Sequence, residues 1–450
     1  MKLLHLTTIV LSFLLVSHAA HGQRTANMDG KLVPSFGENG MAFAGLNPSI
    51  PQDMAILDDG SIVVVQQTQL NGKFVVTLSK QLPDGSRDTS FGKYGFRIYE
   101  FPRSIGDTSL AIQPDGKFII AGAGISVSNP TDVDFFVARI DANGTLDTTF
   151  GNNGSITWDF TPPMSGMVSQ DQASGVILQP DGKIIIAGAV DQYTPGQARM
   201  PAYAAMLRID QNGEPDTSFG NGGISMTLSG SSPAGSYRGR AVTAKQMSNG
   251  KIVLGESVEH ESSTSPGQYV SRSIVRRYNQ NGTPDSSFAG SGAKDISLNI
   301  DDSFFRNFYE LLTERMLILT TDGLIRLTPD GSYDAAFGVN GRASLIPRTC
   351  SPLDLAVIND GRIVVDRSCN RPLESGGYKG FGVIERYWSD GTPDFKFGNN
   401  GVSVLEDASI DLFPGRMRVS EDRHLFVTGY RGLPGMSIGF IAKVNGRRKP

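Results

Sequence analysis

Along most of the chain, apolar residues alternate with polar ones in short runs, and each run ends near a glycine, proline, asparagine or aspartate. Alternation with a period of two is the signature of a strand with one face in a core, whereas an amphipathic helix needs apolar residues three and four apart over a longer window. The stretch after Phe150 is the clearest. Residues 155–160 alternate and stop at Thr161-Pro162-Pro163, giving a strand a. Residues 174–179 give a strand b, Asp181-Gly182 turns the chain into a strand c at 183–187, and 202–209 give a strand d. Asp-Gly between two alternating runs is a strong hairpin signal, because glycine takes positive φ where other residues would lose roughly 1–2 kcal/mol. The same b-to-c turn returns as Asp59-Gly60, Asp115-Gly116, Asn249-Gly250 and Asp360-Gly361.

The pattern repeats as a unit. Phenylalanine stands at 36, 91, 150, 219, 288, 337 and 397, with glycine four residues after each, at spacings of 55, 59, 69, 69, 49 and 60. A unit of this size cannot bury its apolar face alone and must stack on its neighbours. Four antiparallel strands per unit, with a longer connector leading to the next strand a as the innermost strand, predict an all-β, seven-bladed β-propeller of four-stranded blades. A parallel β-helix would need shorter coils, and a single barrel would leave most of the strand-like runs unused. The 49-residue unit is trimmed: its b-to-c turn falls at Thr313-Glu314-Arg315, and Asp322-Gly323 joins c directly to d.

The connector before each anchor phenylalanine keeps its own register. Aspartate lies three residues before it at Asp88, Asp147, Asp216, Asp285, Asp334 and Asp394, and Val33 takes that place only in the first unit. There the carboxylate can accept backbone N–H groups in an Asx turn. A basic residue lies eleven before it at Lys80, Arg139, Arg208, Arg277, Arg326 and Arg386. That residue is expected to pair with the aspartate or to cross to the adjacent blade. The alternative is a calcium loop from Asp141, Asn143 and Asp147. Against it, the position of Asp141 holds Leu82, Thr328 or Trp388 in other units, so the connector keeps its form without those oxygens.

These residues resemble the delta-60 repeat proteins of bacteria, whose units carry D-x-x-F-G-x-x-G and Q-P-D-G-K-hydrophobic-A-G segments. The first is intact at Asp147-Thr148-Thr149-Phe150-Gly151-Asn152-Asn153-Gly154, the second at Gln113 to Lys117 with Ala121-Gly122 and again from Gln179 to Gly188. The likeness runs over about residues 29–445 and loosens in two units, where Ala289 replaces the first glycine and Glu421-Asp422-Arg423 replaces the turn. The resemblance implies an exported, propeller-like repeat domain in surface-associated proteins and supplies no catalytic residues.

Residues 1–22 read as a secretory signal peptide, with one basic residue, an apolar run from Leu3 to Val16 and small residues before the cleavage point. The run is shorter than the roughly 20 residues of a membrane span and is broken by His5, Thr7 and Thr8. The expected product is an exported protein, secreted, periplasmic or bound at the cell surface, with residues 23–450 forming one domain and acting as a monomer. Fifty-three glycines and 24 prolines with only 19% charged residues suit many turns and few solvated helices. A net charge of −4 without a long basic run argues against nucleic acid as a partner. Gln23 to Asn27 is too polar for a buried strand, so no N-terminal strand is expected to complete the last blade, and face packing would close the ring.

Candidate chemistry is sparse. Cys350 and Cys369 flank Asp360-Gly361 almost symmetrically and are expected to form a disulfide closing a loop of 20 residues, stabilising by roughly 3 kcal/mol; two free thiols are the alternative. Three of the five histidines lie in the export signal, leaving His260 and His424, too few for a multi-histidine metal centre. Neither a metal nor an organic cofactor is expected. Length variation concentrates on the face of the a-to-b and c-to-d loops, at 161–173, 190–201, 229–240 and 257–272. These bring Tyr193, Arg199, Tyr203, Tyr237, Arg238, Arg240, His260 and Tyr269 to one side of blades three and four, and tyrosine and arginine suit a recognition surface. The favoured function is a non-enzymatic interaction or structural module binding a protein or cell-envelope polymer. The alternative is an extracellular polysaccharide-acting enzyme, a hydrolase or lyase with carboxylates near the central channel.

Overall fold

The computed structural model describes residues 29–101, 105–125, 133–160, 168–193, 202–229, 237–261, 268–297, 303–346, 349–374, 376–407, 410–433 and 436–446. The export signal read at 1–22 and Arg199 lie outside the described residues.

Among the described residues the fold is almost purely β, with one short 3-10 turn at Leu312–Glu314 where the trimmed unit makes its b-to-c turn. The strands form five four-stranded antiparallel sheets and one of eight, and the last divides into two four-stranded sets joined by one parallel bridge between Gln170 and Val133. One set shows the order of all. Val168–Leu178 is the inner strand, Ile184–Tyr193 the second, Ala202–Ile209 the third and Ile224–Leu228 the outer one.

This order corrects the expected phase of the repeat. Strand b is innermost, while strand a, seen as Ser155–Trp158, is the outer strand of the preceding set and pairs with Val133–Ile140. The anchor phenylalanine therefore sits in the turn between the third and outer strands, and the crossing to the next set follows strand a. The physical reason is that the connector is too tight to span two sheets. Phe150 N–H bonds back to Asp147 O, and Asp147 N–H to Arg139 O, so the chain reverses locally.

The connectors lock neighbouring units together. Arg139 donates to Asp147 at 2.7 Å, and its guanidinium lies 4.7 Å from the centre of the Phe150 ring while reaching Gln211 O in the next unit. Arg208, Arg277 and Arg326 repeat this with Asp216, Asp285 and Asp334 and reach the carbonyls of Gln280, Pro329 and Ser389. Both expected partners of the basic residue are thus used at once. Burial acts to raise the Asp147, Asp216 and Asp285 carboxyls, but hydrogen bonds from Lys117, Lys183 and Lys251, from the Thr149, Ser218 and Ser287 hydroxyls and from the arginines together hold them well below the usual carboxylate range. With Lys117 also 3.6 Å from Asp141, the carboxylates of this connector are engaged in an ion-pair lattice. The connector glycine has its own reason. Gly282 takes φ +84°, and a Cβ there would lie 2.7 Å from the Phe219 ring of the preceding unit. Phe219 is fully enclosed, a burial contributing roughly 2–3 kcal/mol.

The first and last described strands meet by the same devices. Met41–Phe43 pairs antiparallel with Met436–Asn445 and supplies the outer strand of the last sheet, which overturns the expectation that no N-terminal strand would do so. The strand lies after Phe36, not before the first connector, and so escaped a search of the polar residues preceding it. Asp29 grips Arg386 with both carboxylate oxygens at 2.7 Å, and Gly30 seats against Phe397 as Gly282 does against Phe219. The first connector therefore serves as the partner that the last unit would otherwise lack. Cys350 and Cys369 face each other across adjacent strands and are disulfide-bonded, as expected.

Candidate functional site

The inner strands surround a common cavity of about 650 Å³. Each of them carries a β-bulge: at Pro51/Asp53, Gly106/Ser109, Ala173/Gly175, Ala241/Thr243, Phe305/Asn307, Pro352/Asp354 and Pro414/Arg416. A bulge inserts a residue, bends the strand and re-aims the side chains that follow. Here polar groups beyond the bulges, among them Asp53, Ser109, Lys245, Asn307 and Arg416, line the channel instead of a sheet interface.

Many of these groups tie one inner strand to the next. Asp53 accepts from Leu110 N–H at 3.1 Å and from Arg418, and Ser109 Oγ donates to Ser174 O at 2.9 Å. Lys245 donates to Phe308 O, and Asn307 to Asp354. Asp354 also accepts Leu355 N–H and Met417 N–H, both at 2.8 Å. The two channel aspartates are thereby held in strand-to-strand bonds, with Arg418 between them. Arg416 makes no ion pair or side-chain hydrogen bond among the described residues. Burial lowers the Lys245 amine to about 8, with Arg418 and Arg416 adding to the effect against the pull of Asp354 and Asp53. Its Nζ stands 6.0 Å from the centre of the Tyr309 ring. The cavity runs on to Asn359, Ser420 and Glu421, so it opens among the stereotyped b-to-c turns.

The sequence-predicted residues lie at the other end of the strands. Tyr193 and Tyr203 sit at the loop ends of adjacent strands in one set, while Tyr237 pairs with His260, Arg238 with Glu259 and Arg240 with Ser257 in the next. Tyr269 begins the third strand opposite Glu261 and is exposed. The backbone thus gathers these positions at one end of two neighbouring sets, away from the channel mouth. His424 Nδ1 lies 2.7 Å from Asp422 beside the turn, with no nucleophile in that pair. Sequence reading missed Lys245, Arg416, Arg418, Asp53 and Asp354. The signal available was the break in alternation that each bulge makes, which pattern matching treats as noise.

One acidic group stands apart from the channel. Carboxylate oxygens of Asp134, Asp159 and Asp171 lie within 4.8 Å of one another at the junction held by the Gln170–Val133 bridge. Asp171 is wholly buried and accepts Phe160 N–H at 2.9 Å. Burial, then the charges of Asp159 and Asp134, push its carboxyl up to about 8.

With sheets stacked about a channel, the class is a β-propeller. Residues 113–150, 179–219 and 248–288 match the family described as a domain of unknown function (DUF5122) beta-propeller. No curated protein sequence matches the chain. Among solved structures, the polysaccharide lyase Uly1 aligns with TM-score 0.46 and 9% identity over 88% of this chain and 90% of its own. An alpha-L-arabinanase of Penicillium chrysogenum, complexed with arabinobiose, aligns at 0.41 and 11% identity over 80% and 97%. The WD40 domain of SCAP from fission yeast aligns at 0.35 and 7% identity over 90% and 98%. No helix among the described residues is long and apolar enough to cross a membrane.

Proposed function

We propose that residues 23–450 form one exported, seven-bladed β-propeller that acts as a binding module for an acidic cell-envelope polymer. The observation that carries this reading is the division of charge in the channel. Asp53 and Asp354 are consumed by bonds between strands, while Arg416 makes no ion pair among the described residues and Lys245 spends one donor on a carbonyl. A carboxylate or sulfate group entering from the turn face would meet two cations in a partly dehydrated cavity, where a charge-assisted hydrogen bond is worth about 1.5–3 kcal/mol. The disulfide accords with an oxidising, exported setting. The loop-end residues Tyr193, Arg199, Tyr203, Tyr237, Arg238, Arg240, His260 and Tyr269 are proposed as a further contact face for protein or polymer.

Binding of acidic and neutral oligosaccharides to the wild type, R416A and K245M, measured by calorimetry, tests the site. Loss of acidic-ligand affinity by about tenfold or more in each variant is expected, from one lost charge-assisted bond. Equal affinity in all three proteins would remove the channel as the binding site.

The Lys245 amine near 8, beside Tyr309 and an unpaired guanidinium, favours one second reading. Arg416 would neutralise a uronate carboxylate, and Lys245 Nζ would take the proton from the carbon next to it. The electron pair then forms the new C=C bond, the glycosidic C–O bond breaks, and the leaving oxygen takes up a proton. Elimination fits this channel better than hydrolysis, which needs two available carboxyl groups. Appearance of an unsaturated sugar product, lost in K245M, would establish it.

A further inference from the structure

Asp134 begins the third strand of one set, Asp159 follows its outer strand, and Asp171 lies on the inner strand of the next. None of the three belongs to the repeat. Counted from the anchor phenylalanine, the place of Asp134 holds Val75, Tyr203, Arg272, Thr321 and Phe381 in other units, and that of Asp159 holds Gly45, Glu100, Leu228, Ser297, Ile346 and Glu406. Aligned on the bulge, the place of Asp171 holds Ser49, Gly239, Ser303, Cys350 and Leu412. Turn formation and inter-unit pairing therefore do not require these acids, yet one junction brings all three together.

A second observation points inward to a ligand. The Asp171 side chain is 0% exposed, and although one oxygen accepts Phe160 N–H, its Oδ1 has no hydrogen-bond partner among the described residues. A buried carboxylate oxygen left in that state is costly unless a cation or proton meets it. The donor set is all oxygen, which selects a hard cation over zinc or copper. Oxygens on opposite sides of a calcium ion lie up to about 4.8 Å apart, given Ca–O distances near 2.4 Å, and the three carboxylates fall within that limit. Magnesium requires a tighter octahedron and gives up its water reluctantly.

We propose that Asp134, Asp159 and Asp171 form a calcium site that clamps two neighbouring sets of strands where the Gln170–Val133 bridge joins them. Three carboxylates leave further coordination positions for water. The ion would fasten the third and outer strands of one set to the inner strand of the next, a structural role separate from the channel.

Trp158 adjoins Asp159 and is one of only two tryptophans in the chain, which supplies a spectroscopic readout. The mature protein is stripped with chelator and titrated with terbium, with excitation of tryptophan, and then with calcium or magnesium as competitor; melting temperature is followed in parallel. Sensitised terbium emission displaced by calcium in preference to magnesium is expected, with a saturable rise in melting temperature. D171N should lower calcium affinity by more than about 100-fold, beyond the 10–100-fold that follows loss of an outer-shell partner. W158F should lose the emission but keep the thermal response, and D141N, in the repeated connector, should keep both. If D171N does not fold, D134N is read in the same way. No calcium-dependent change in either readout, or full affinity in a folded D171N or D134N, would overturn the site.

Discussion

Replacing Arg386 by alanine attacks the seam where the first and last described strands meet. Its guanidinium is 1% exposed and holds two carboxylates of the same burial, Asp29 through two bonds of 2.7 Å and Asp394 through Nε at 2.9 Å. It also donates to Gly446 O at 2.8 Å and covers the Phe397 ring at 4.5 Å. Removing one partner from a buried ion pair costs about 3–5 kcal/mol, and with two carboxylates losing it the upper end applies. Arg326 is the internal control. Its one carboxylate partner is Asp334, which keeps Arg315 at 2.9 Å, and it donates to Ser389 O, so R326A should cost about 2 kcal/mol. The energy is spent locally, because a ring of stacked units opens where its weakest interface lies. Amide hydrogen exchange reads this directly. At ~1.4 kcal/mol per decade, R386A should speed exchange in Met41–Phe43 and Met436–Asn445 by about three orders of magnitude, while R326A leaves those strands unchanged. Equal effects of the two variants at the seam, or less than a tenfold effect of R386A, would refute the closure argument.

Three further outcomes concern the connector lattice, a buried carboxyl and the disulfide. Asp147, Asp216 and Asp285 have carboxyls depressed below their unfolded values, so their contribution is present above about pH 4 and lost as pH falls through the folded values; melting temperature should drop steeply in that acid range, and flattening of the drop in D285N would confirm the source. Asp366 behaves oppositely, because burial and the charge of Asp354 raise its carboxyl well above the usual range. Its cost grows as pH rises beyond its unfolded value, and D366N should therefore gain stability relative to wild type more at pH 8 than at pH 4 in paired denaturant titrations. Reducing the Cys350–Cys369 bond, or C350A/C369A, should cost about 3 kcal/mol, read as a lower denaturant midpoint with unchanged far-ultraviolet dichroism.

The turns were legible because their chemistry is local. Asp-Gly pairs, the Asx aspartates and the basic residue eleven before six of the seven phenylalanines all act within one unit or on the next, and their spacing carries the information. The phase of the blade was not legible, since strand a alternates equally well whether it lies innermost or outermost; only the tight Arg139–Asp147–Phe150 reversal decides. Ring closure through Met41–Phe43 escaped for a related reason, as three residues are too short for a periodic signal. The channel groups depend on bulges that interrupt the pattern, and Asp134, Asp159 and Asp171 meet across two sets from positions some 12 to 37 residues apart. No local rule brings such residues together.

The most direct measurement of function is binding of the purified protein to an array of acidic and neutral bacterial and host glycans and to envelope extracts, with R416A alongside and product analysis on every hit. Retention of acidic polymers, intact and dependent on Arg416, is the predicted result. Binding confined to neutral glycans or protein, or undiminished in R416A, would contradict the channel account.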